Sequence, residues 1–160
     1  MSQTMFRLTE SVTLGHPASA VWQYLVAFEQ VPLWEQGMVT VSRLAEGPPR
    51  IGDRIIARRI YAGRETQLDG HISEFEDGRL ATLRLRGGPL ADAWVQYKVE
   101  PVDDRRARVT YSTWGSLRGP LRLLHPVVHV IGRTEARKNL RKLGRRIDAG
   151  VSPTSDIDVG

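Results

Sequence analysis

The sequence contains no cysteine, and no uninterrupted apolar run approaches the ~20 residues that a membrane-spanning helix needs. The absence of cysteine excludes a disulfide framework and a thiolate zinc site, and it is typical of a protein kept in a reducing cytoplasm. The N-terminal stretch MSQTMFRLTE lacks a charged start followed by an apolar block, so it is not predicted to be a signal peptide. We therefore expect a soluble, cytoplasmic protein.

The composition is that of one ordinary globular domain. The chain has 160 residues, of which 41% are hydrophobic and 26% charged, which is too apolar for a disordered chain and long enough to bury a core. We predict a single domain over residues 1–148 and a disordered C-terminal tail over residues 149–160, because GVSPTSDIDVG has no periodic pattern. The formal net charge of +5 makes an anionic partner worth testing.

The first four-fifths of the chain has mostly the pattern of strands. Segment 6–14 alternates apolar and polar residues, which predicts a half-buried strand. A helix that begins near Pro17 follows, and then a short helix or turn closed by Gly37. Six further strand patterns fill 38–115, and the short glycine, proline and aspartate turns between them predict antiparallel hairpins.

After Gly119 the period becomes helical and stays so to about Ile147. One face of this helix carries seven Arg and Lys residues between Arg133 and Arg146. The opposite stripe comprises His125, His129, Gly132, Ala136, Leu140, Leu143 and Ile147, widened by Leu121, Leu124, Val128 and Ile131. The predicted fold is α+β: a curved antiparallel sheet of about seven strands wrapped around a long C-terminal helix, with two short helices after the first strand. A bent sheet around a helix leaves space for a pocket.

The motif HPVVH places His125 and His129 four residues apart on the sheet-facing stripe. Two such histidines can share a metal ion, but a third ligand is needed and no acidic residue lies within the motif, so we predict no metal site. Glu135 and His71 are the remaining candidates for that third ligand. Two interpretations stay open: histidines with satisfied hydrogen bonds, or histidines that address a ligand across the open volume left by Gly132.

Aromatic residues on the strands are candidates for a pocket wall. Tyr97 and Tyr111 share a predicted inward face with neighbouring valines, whereas Trp94 has the opposite parity to Tyr97 and is predicted to face outward. The aromatic candidates are Trp34, Trp94, Tyr97, Tyr111 and Trp114.

Several motifs together resemble the SRPBCC superfamily, the START-like and polyketide cyclase/dehydrase group with the helix-grip fold. These are HPASAVWQYL, VPLWEQGMVTV, RIGDRI, VEPVDDRRARVTYS and a glycine-led final helix, and the likeness covers about Phe6 to Ile147. The resemblance implies a hydrophobic cavity beneath the last helix that binds a lipid, polyketide, sterol, quinone or similar molecule, with Trp34 at its mouth. Only some members of the group are enzymes, so the sequence leaves carrier and enzyme both open.

Our main hypothesis is a cofactor-independent protein that binds a hydrophobic small molecule between the sheet and the last helix. No catalytic residue is assigned. The predicted ligand-binding residues are Trp34, His71, Tyr97, Tyr111, His125, Val128, His129 and Gly132.

A polyketide cyclase or dehydratase is the first alternative, and it calls for an anion-stabilising arginine and a proton donor. The available polar residues on the middle strands are Arg58, Arg59, Tyr61 and His71. One of the two adjacent arginines must point outward. Asp69, His71 and Ser73 share one strand face with parallel side chains, so they do not support a serine-hydrolase mechanism.

The second alternative is a binder of anionic surfaces, working through the basic face from Arg133 to Arg146. A solvated outer face explains the same charges more simply. Peripheral contact with an anionic membrane is the more coherent option, because no helix-turn-helix, zinc-finger or RNA-binding aromatic motif favours nucleic acid. The sequence allows a monomer or a homodimer.

Overall fold

A computed structural model describes the backbone of residues 5–117 and 125–150, and the side chains of residues 5–117 and 131–150. The sheet strands are β1 (Met5–Leu14), β2 (Met38–Arg43), β3 (Arg54–Tyr61), β4 (Arg64–Glu76), β5 (Leu80–Gly87), β6 (Leu90–Asp103) and β7 (Arg106–Leu117). The helices are α1 (Ala18–Val26), a 3-10 helix (Phe28–Leu33) and α2 (His125–Asp148). From residue 151 onward the predicted tail lies outside the described residues.

The seven strands form one antiparallel sheet in the order β1-β7-β6-β5-β4-β3-β2. Each neighbouring pair from β2 to β7 is a hairpin, as the short turns predicted, and β1 closes the other edge by pairing with β7. The register shifts at several points, for example between Ile72 and Glu74 of β4, which bends the sheet. The predicted α+β architecture, a curved sheet with a long C-terminal helix, is confirmed.

Helix α2 lies against β1 at one edge of the sheet and runs along it. A Cβ atom built on Gly144 would lie 2.7 Å from Leu14 Cδ2, so the two elements nearly touch at that end. A Cβ built on Gly132 would lie 3.6 Å from Leu8 Cδ2, which is ordinary contact distance. Because α2 packs on the edge of a bent sheet, space remains between the helix and the central strands.

The apolar stripe of α2 enters the core as the helical period predicted. Leu140 and Leu143 are fully buried, with Ala136 and Ile147 close behind. Ile131 is different: the sequence placed it in the widened stripe, but its side chain is 54% exposed. Residue 131 is one position out of step with Gly132, so on a 100° turn per residue it faces away from the sheet.

An ionic contact ties α2 to β1. Glu10 shares the inward parity of Leu8 and is buried, and its carboxylate accepts a hydrogen bond of 2.9 Å from Arg133 Nε. Arg137 lies 3.4 Å from the same carboxylate. Burial raises the pKa of Glu10, but the hydrogen bond from Arg133 and the charges of Arg137 and Arg133 outweigh it, so the pKa lies below its ordinary value. Part of the basic face therefore has a structural partner.

Replacing Glu10 with glutamine is expected to lower the free energy of unfolding by about 1 kcal/mol at neutral pH, since the exposed arginine ends are screened by solvent. A depressed folded pKa gives stability that is present above the unfolded value and is lost as the pH falls through the folded value. The difference between wild type and E10Q should therefore shrink below about pH 4, as urea unfolding at several pH values would measure. A difference that stays constant down to pH 2 would contradict this account.

None of the helices within residues 5–117 and 125–150 is long and apolar enough to cross a membrane.

Candidate functional site

A cavity of about 260 Å³ lies between α2 and the sheet. Its wall is mostly apolar, as in most small-molecule sites. Side chains from the 3-10 helix and the central strands supply this surface, among them Phe28, Val31, Ile55, Leu68, Leu83 and Val95. The space that the curved sheet and amphipathic helix predicted is therefore present.

One polar cluster interrupts the apolar wall. Arg59 of β3 lies between two carboxylates: Glu35, which follows the 3-10 helix, and Glu135 of α2. Its Nη1 is 3.8 Å from Glu35 Oε1 and its Nη2 is 3.7 Å from Glu135 Oε2. The ring of Tyr61 lies 5.6 Å from the guanidinium carbon, within cation–π range. These four side chains come from three separate parts of the chain and meet at the cavity.

The strand parity of β3 decides which arginine enters the cavity. Arg58 points away and pairs with Glu65 at 2.8 Å on the exposed face. Arg59 is on the opposite face, with a side chain that is 19% exposed. The expectation that one of the two must point outward is confirmed, and it is Arg59 that faces inward.

The ionic contacts of Arg59 are looser than the structural ion pairs of this protein. On the outer face, Arg84 Nε and Nη2 donate hydrogen bonds of 3.0 and 2.6 Å to the two oxygens of Asp92. The distances of 3.8 and 3.7 Å at Arg59 exceed hydrogen-bonding range. A short bidentate pair fixes the orientation of a guanidinium group. The longer contacts of Arg59 leave its N–H groups able to donate hydrogen bonds to another polar atom.

The acid–base properties of Glu35 and Arg59 follow from burial. Burial raises the pKa of Glu35, the charge of Arg59 lowers it and that of Glu135 raises it again, and the net direction is upward. For Arg59, burial lowers the pKa, but the charges of Glu35, Tyr61, Tyr111 and Glu135 raise it beyond the ordinary value. Arg59 is thus a permanent cation, whereas Glu35 is a carboxyl that holds its proton more readily than an ordinary glutamate does.

Three tyrosines share this region, and all of them remain protonated. Tyr97 packs against Tyr111, with ring centres 5.5 Å apart. Burial raises the pKa of Tyr61, Tyr97 and Tyr111 above the ordinary value, although Arg59 opposes the shift at each. Their hydroxyl groups can donate hydrogen bonds but do not act as bases near neutral pH.

The structure brings three of the predicted ligand-binding residues to the cavity wall. Tyr97, Tyr111 and Gly132 all line it. Trp34 is buried but is not part of the lining, since it packs edge-on against Tyr97 with ring centres 5.8 Å apart. It therefore supports the wall from behind instead of standing at a mouth.

His71 lies on the other side of the sheet. Leu68 and Ile72 of β4 are buried, whereas His71 has the opposite parity to Ile72 and is paired in register with Arg54 and Arg84. It is absent from the cavity lining. The structure thus separates His71 from the residues with which the sequence grouped it, because the alternation of β4 aims it at the outer face.

Trp94 and Trp114 also lie on this outer face. Their rings stack with an interplanar angle of 5° and centres 6.2 Å apart. Arg84 lies over Trp94 and Arg7 over Trp114. The outward orientation expected for Trp94 is confirmed, and Trp114 accompanies it instead of lining the cavity.

The remaining predicted residues are His125, Val128 and His129. They belong to the first turns of α2, but their side chains lie outside the described residues. Their predicted roles stay predictions. Within the residues whose side chains are described, no group of three His, Asp or Glu side chains could hold a metal ion.

Sequence reasoning missed Glu35 and Asn139. Asn139 lines the cavity, and its Oδ1 accepts a hydrogen bond of 3.1 Å from the backbone N–H of Gln36, so α2 is joined to the segment that carries Glu35. A signal was present, because Glu135 and Asn139 fall three and seven residues after Gly132 on the same helical face. Polar residues inside an apolar helical stripe can therefore indicate which side chains face a cavity.

The comparisons with solved structures place this fold among known proteins. The Zhui aromatase/cyclase from Streptomyces sp. R1128 superposes with a TM-score of 0.76 at 14% identity, over 91% of this chain and 98% of that one. A protein from Thermus thermophilus has a TM-score of 0.76 at 15% identity, covering 92% and 100%. A START superfamily protein from Mycobacterium smegmatis has a TM-score of 0.69 at 13% identity, covering 91% and 96%. No curated protein matches the chain.

The sequence model of one family matches nearly the whole chain, from residue 5 to residue 148. That family is described as "Polyketide cyclase / dehydrase and lipid transport". The solved structures share its helix-grip architecture, with a curved sheet and a C-terminal helix. The resemblance seen in the sequence motifs is confirmed, and the chain belongs to the polyketide cyclase/dehydrase and lipid transport family of the START-like SRPBCC superfamily.

Proposed function

We propose that this protein binds a compact apolar molecule carrying at least one polar oxygen in the cavity between α2 and the sheet. The observation that carries the proposal is the loose Glu35–Arg59–Glu135 contact set within an otherwise apolar wall. The wall supplies affinity through burial of apolar surface, at roughly 25 cal/mol per Å² before entropic costs. Arg59 supplies orientation, because its charge favours an electron-rich oxygen beside it.

Charge balance favours a neutral ligand over an anionic one. The single positive charge of Arg59 faces two carboxyl groups, Glu35 and Glu135, so the cluster carries no net positive charge whether Glu35 is protonated or ionised. A carbonyl or hydroxyl oxygen can then contact Arg59 without adding an uncompensated charge to a poorly solvated site. An anion with its charge near Arg59 would have to compete with both carboxylates.

The enzyme alternative, a cyclase or dehydratase, has one specific observation in its favour. Arg59 faces inward beside Tyr61, which supports an anion-stabilising cation next to a proton donor. His71, the other polar candidate on the middle strands, lies on the outer face and takes no part in this arrangement. A carrier needs only a cation that orients the ligand, whereas an enzyme also needs a group that transfers a proton.

Native mass spectrometry of the purified protein is the first test, followed by denaturing extraction of any molecule that is retained. A retained neutral molecule with an apolar body and a carbonyl or hydroxyl group supports the proposal. A retained molecule with several charges, or with no polar atom, contradicts it.

Replacing Gly132 with phenylalanine is expected to weaken binding of 2-naphthol at least about tenfold, which is about 1.4 kcal/mol. A Cβ atom at position 132 would lie 3.6 Å from Leu8 Cδ2, which is ordinary contact distance, so the substitution need not displace the helix. The phenylalanine ring would occupy part of the cavity volume. Ile131→Phe is the matched control, because residue 131 is adjacent on α2 and exposed. Titration of 2-naphthol fluorescence measures both. Equal weakening by the two variants would place binding elsewhere.

A further inference from the structure

Glu35 occupies an unusual position for a carboxylate. Its side chain is 5% exposed and lines the cavity, while its own backbone N–H donates a hydrogen bond of 2.8 Å to Val31 O. The backbone of the preceding residue, Trp34, is held in the same way at 3.1 Å. The main chain therefore fixes the position of the carboxyl group at the cavity wall. Because Arg59 Nη1 lies 3.8 Å away, beyond hydrogen-bonding range, the carboxyl oxygens are not held in a tight ion pair and can contact a ligand.

Charged and titratable groups from four elements surround Glu35, and two of them, Arg59 and Glu135, act on its pKa. Arg59 and Tyr61 come from β3, Tyr97 from β6, Tyr111 from β7 and Glu135 from α2. Burial is the largest influence and raises the pKa of the Glu35 carboxyl, which Arg59 opposes and Glu135 reinforces. The shift moves the carboxyl toward the pH range in which a side chain both accepts and returns a proton efficiently.

The other described polar groups of the cavity suit different tasks. Arg59 stays protonated, and the tyrosines keep their hydroxyl protons, so these groups donate hydrogen bonds but do not accept a proton from carbon. Glu135 is 42% exposed and is therefore in contact with solvent. Glu35 is the buried carboxyl beside both the cation and the apolar space.

We infer that Glu35 is a proton-transfer residue, acting on a neutral apolar ketone whose carbonyl oxygen lies against Arg59. The inference deepens the proposed function and rests on it, because the ketone must first enter the cavity. The Glu35 carboxylate removes a proton from the carbon next to the carbonyl, the C–H electron pair forms a C=C bond, and the carbonyl π pair moves to oxygen. Arg59 stabilises the resulting enolate oxygen, and the Glu35 carboxylic acid then returns the proton to carbon.

This cycle needs no oxidant, reductant or second substrate. When the Glu35 carboxylic acid exchanges its proton with solvent before returning one to the same carbon, the ketone incorporates solvent hydrogen, and return to the far end of a conjugated system gives a double-bond isomer. The chemical class of substrate is a compact ketone with an acidic C–H bond.

The test uses 2-tetralone, an apolar two-ring ketone, as the probe for exchange and 2-naphthol as the probe for binding. Deuterium incorporation next to the carbonyl is followed by NMR in D₂O, with the buffer rate subtracted. The wild type should accelerate exchange, and Glu35→Gln should lower the enzymatic rate at least about 100-fold while 2-naphthol affinity changes less than about threefold. Glu46→Gln, an exposed carboxyl between β2 and β3, should exchange like the wild type.

The dependence on pH separates a chemical role from a structural one. Because the carboxylate is the base, the exchange rate should rise through an inflection above the ordinary glutamate value, and Glu35→Gln should lack it. Glu35→Asp should keep the inflection at a lower rate. Exchange by Glu35→Gln at the wild-type rate overturns the inference, as does a wild type that binds 2-naphthol without accelerating exchange, and both outcomes leave the proposed function standing. A wild type that neither binds nor exchanges overturns both.

Discussion

Replacing Gly70 with alanine is expected to lower the free energy of unfolding by at least about 3 kcal/mol. A Cβ atom at this position would lie 1.8 Å from the backbone oxygen of Arg84 and 2.8 Å from its carbonyl carbon. Those atoms belong to β5, which pairs with β4 at this register, so no side-chain rotation relieves the collision. The two central strands would have to separate, at the expense of ladder hydrogen bonds and core packing. Urea unfolding followed by circular dichroism measures the loss.

Gly15→Ala is the matched control. Gly15 follows β1, and an added Cβ would meet no atom within 4 Å. The same substitution there should leave stability unchanged or raise it by about 0.4–1 kcal/mol, because alanine restricts the unfolded chain. Equal effects at the two glycines would show that close backbone approach is not what selects glycine at position 70.

Replacing Arg59 with methionine is expected to destabilise the protein by about 3 kcal/mol at pH 8 and by much less at pH 4. The substitution keeps an apolar chain of similar length but leaves the buried Glu35 without its cation, so the pKa of Glu35 rises further. A buried carboxyl group with a raised folded pKa does not lower the free energy of unfolding while it is protonated. Its stability contribution is lost as the pH rises from the unfolded value through the folded one. Unfolding experiments at several pH values should therefore show a deficit that grows with pH.

The double variant Glu35→Gln, Arg59→Met tests the assignment of that deficit to Glu35. Glutamine cannot ionise, so the double variant should show a deficit that does not grow between pH 4 and pH 8, and it should be more stable than Arg59→Met at pH 8. A pH-independent deficit in the single variant would mean that lost packing of the arginine side chain is the cause.

The sequence allowed the architecture to be predicted because its periodic patterns are regular. On β6 and β7 the strict alternation placed Tyr97 and Tyr111 on one inward face, and the two residues are indeed direct partners in the register. The stripe of α2 was equally regular from Gly132 to Ile147. Such patterns report on local geometry, which the sequence encodes directly.

The polar cluster could not be predicted in the same way. Glu35 follows a 3-10 helix, where no period indicates a direction, and its partner Arg59 lies on β3 next to a second arginine of opposite parity. Glu10 illustrates another limit. Its parity already placed it inward, but the arginines that stabilise it there are 123 and 127 residues further along the chain. Only tertiary contacts reveal why a charge is tolerated at such a position.

His71 shows how a local grouping of chemically suggestive residues can mislead. His71 shared a strand with other chemically suggestive residues, but alternation sends it to the outer face. The groups that meet at the cavity are an arginine, two glutamates and tyrosines, which are common residues scattered along the sequence. Their relation is a property of the curved sheet and is not carried by any single motif.

The uneven spacing of α2 above β1 has an evolutionary consequence. At Gly144 the helix and Leu14 are in close contact, whereas at Gly132 there is room for a side chain. The residues that hold the helix, Leu140 to Ile147, are therefore separate from those that set the capacity of the cavity, near Gly132 and Ala136. Lineages can exchange one small residue for a larger one near the start of the helix and alter which molecules fit, while the anchoring end keeps the fold stable. Ligand preference and folding can thus diverge independently within one helix.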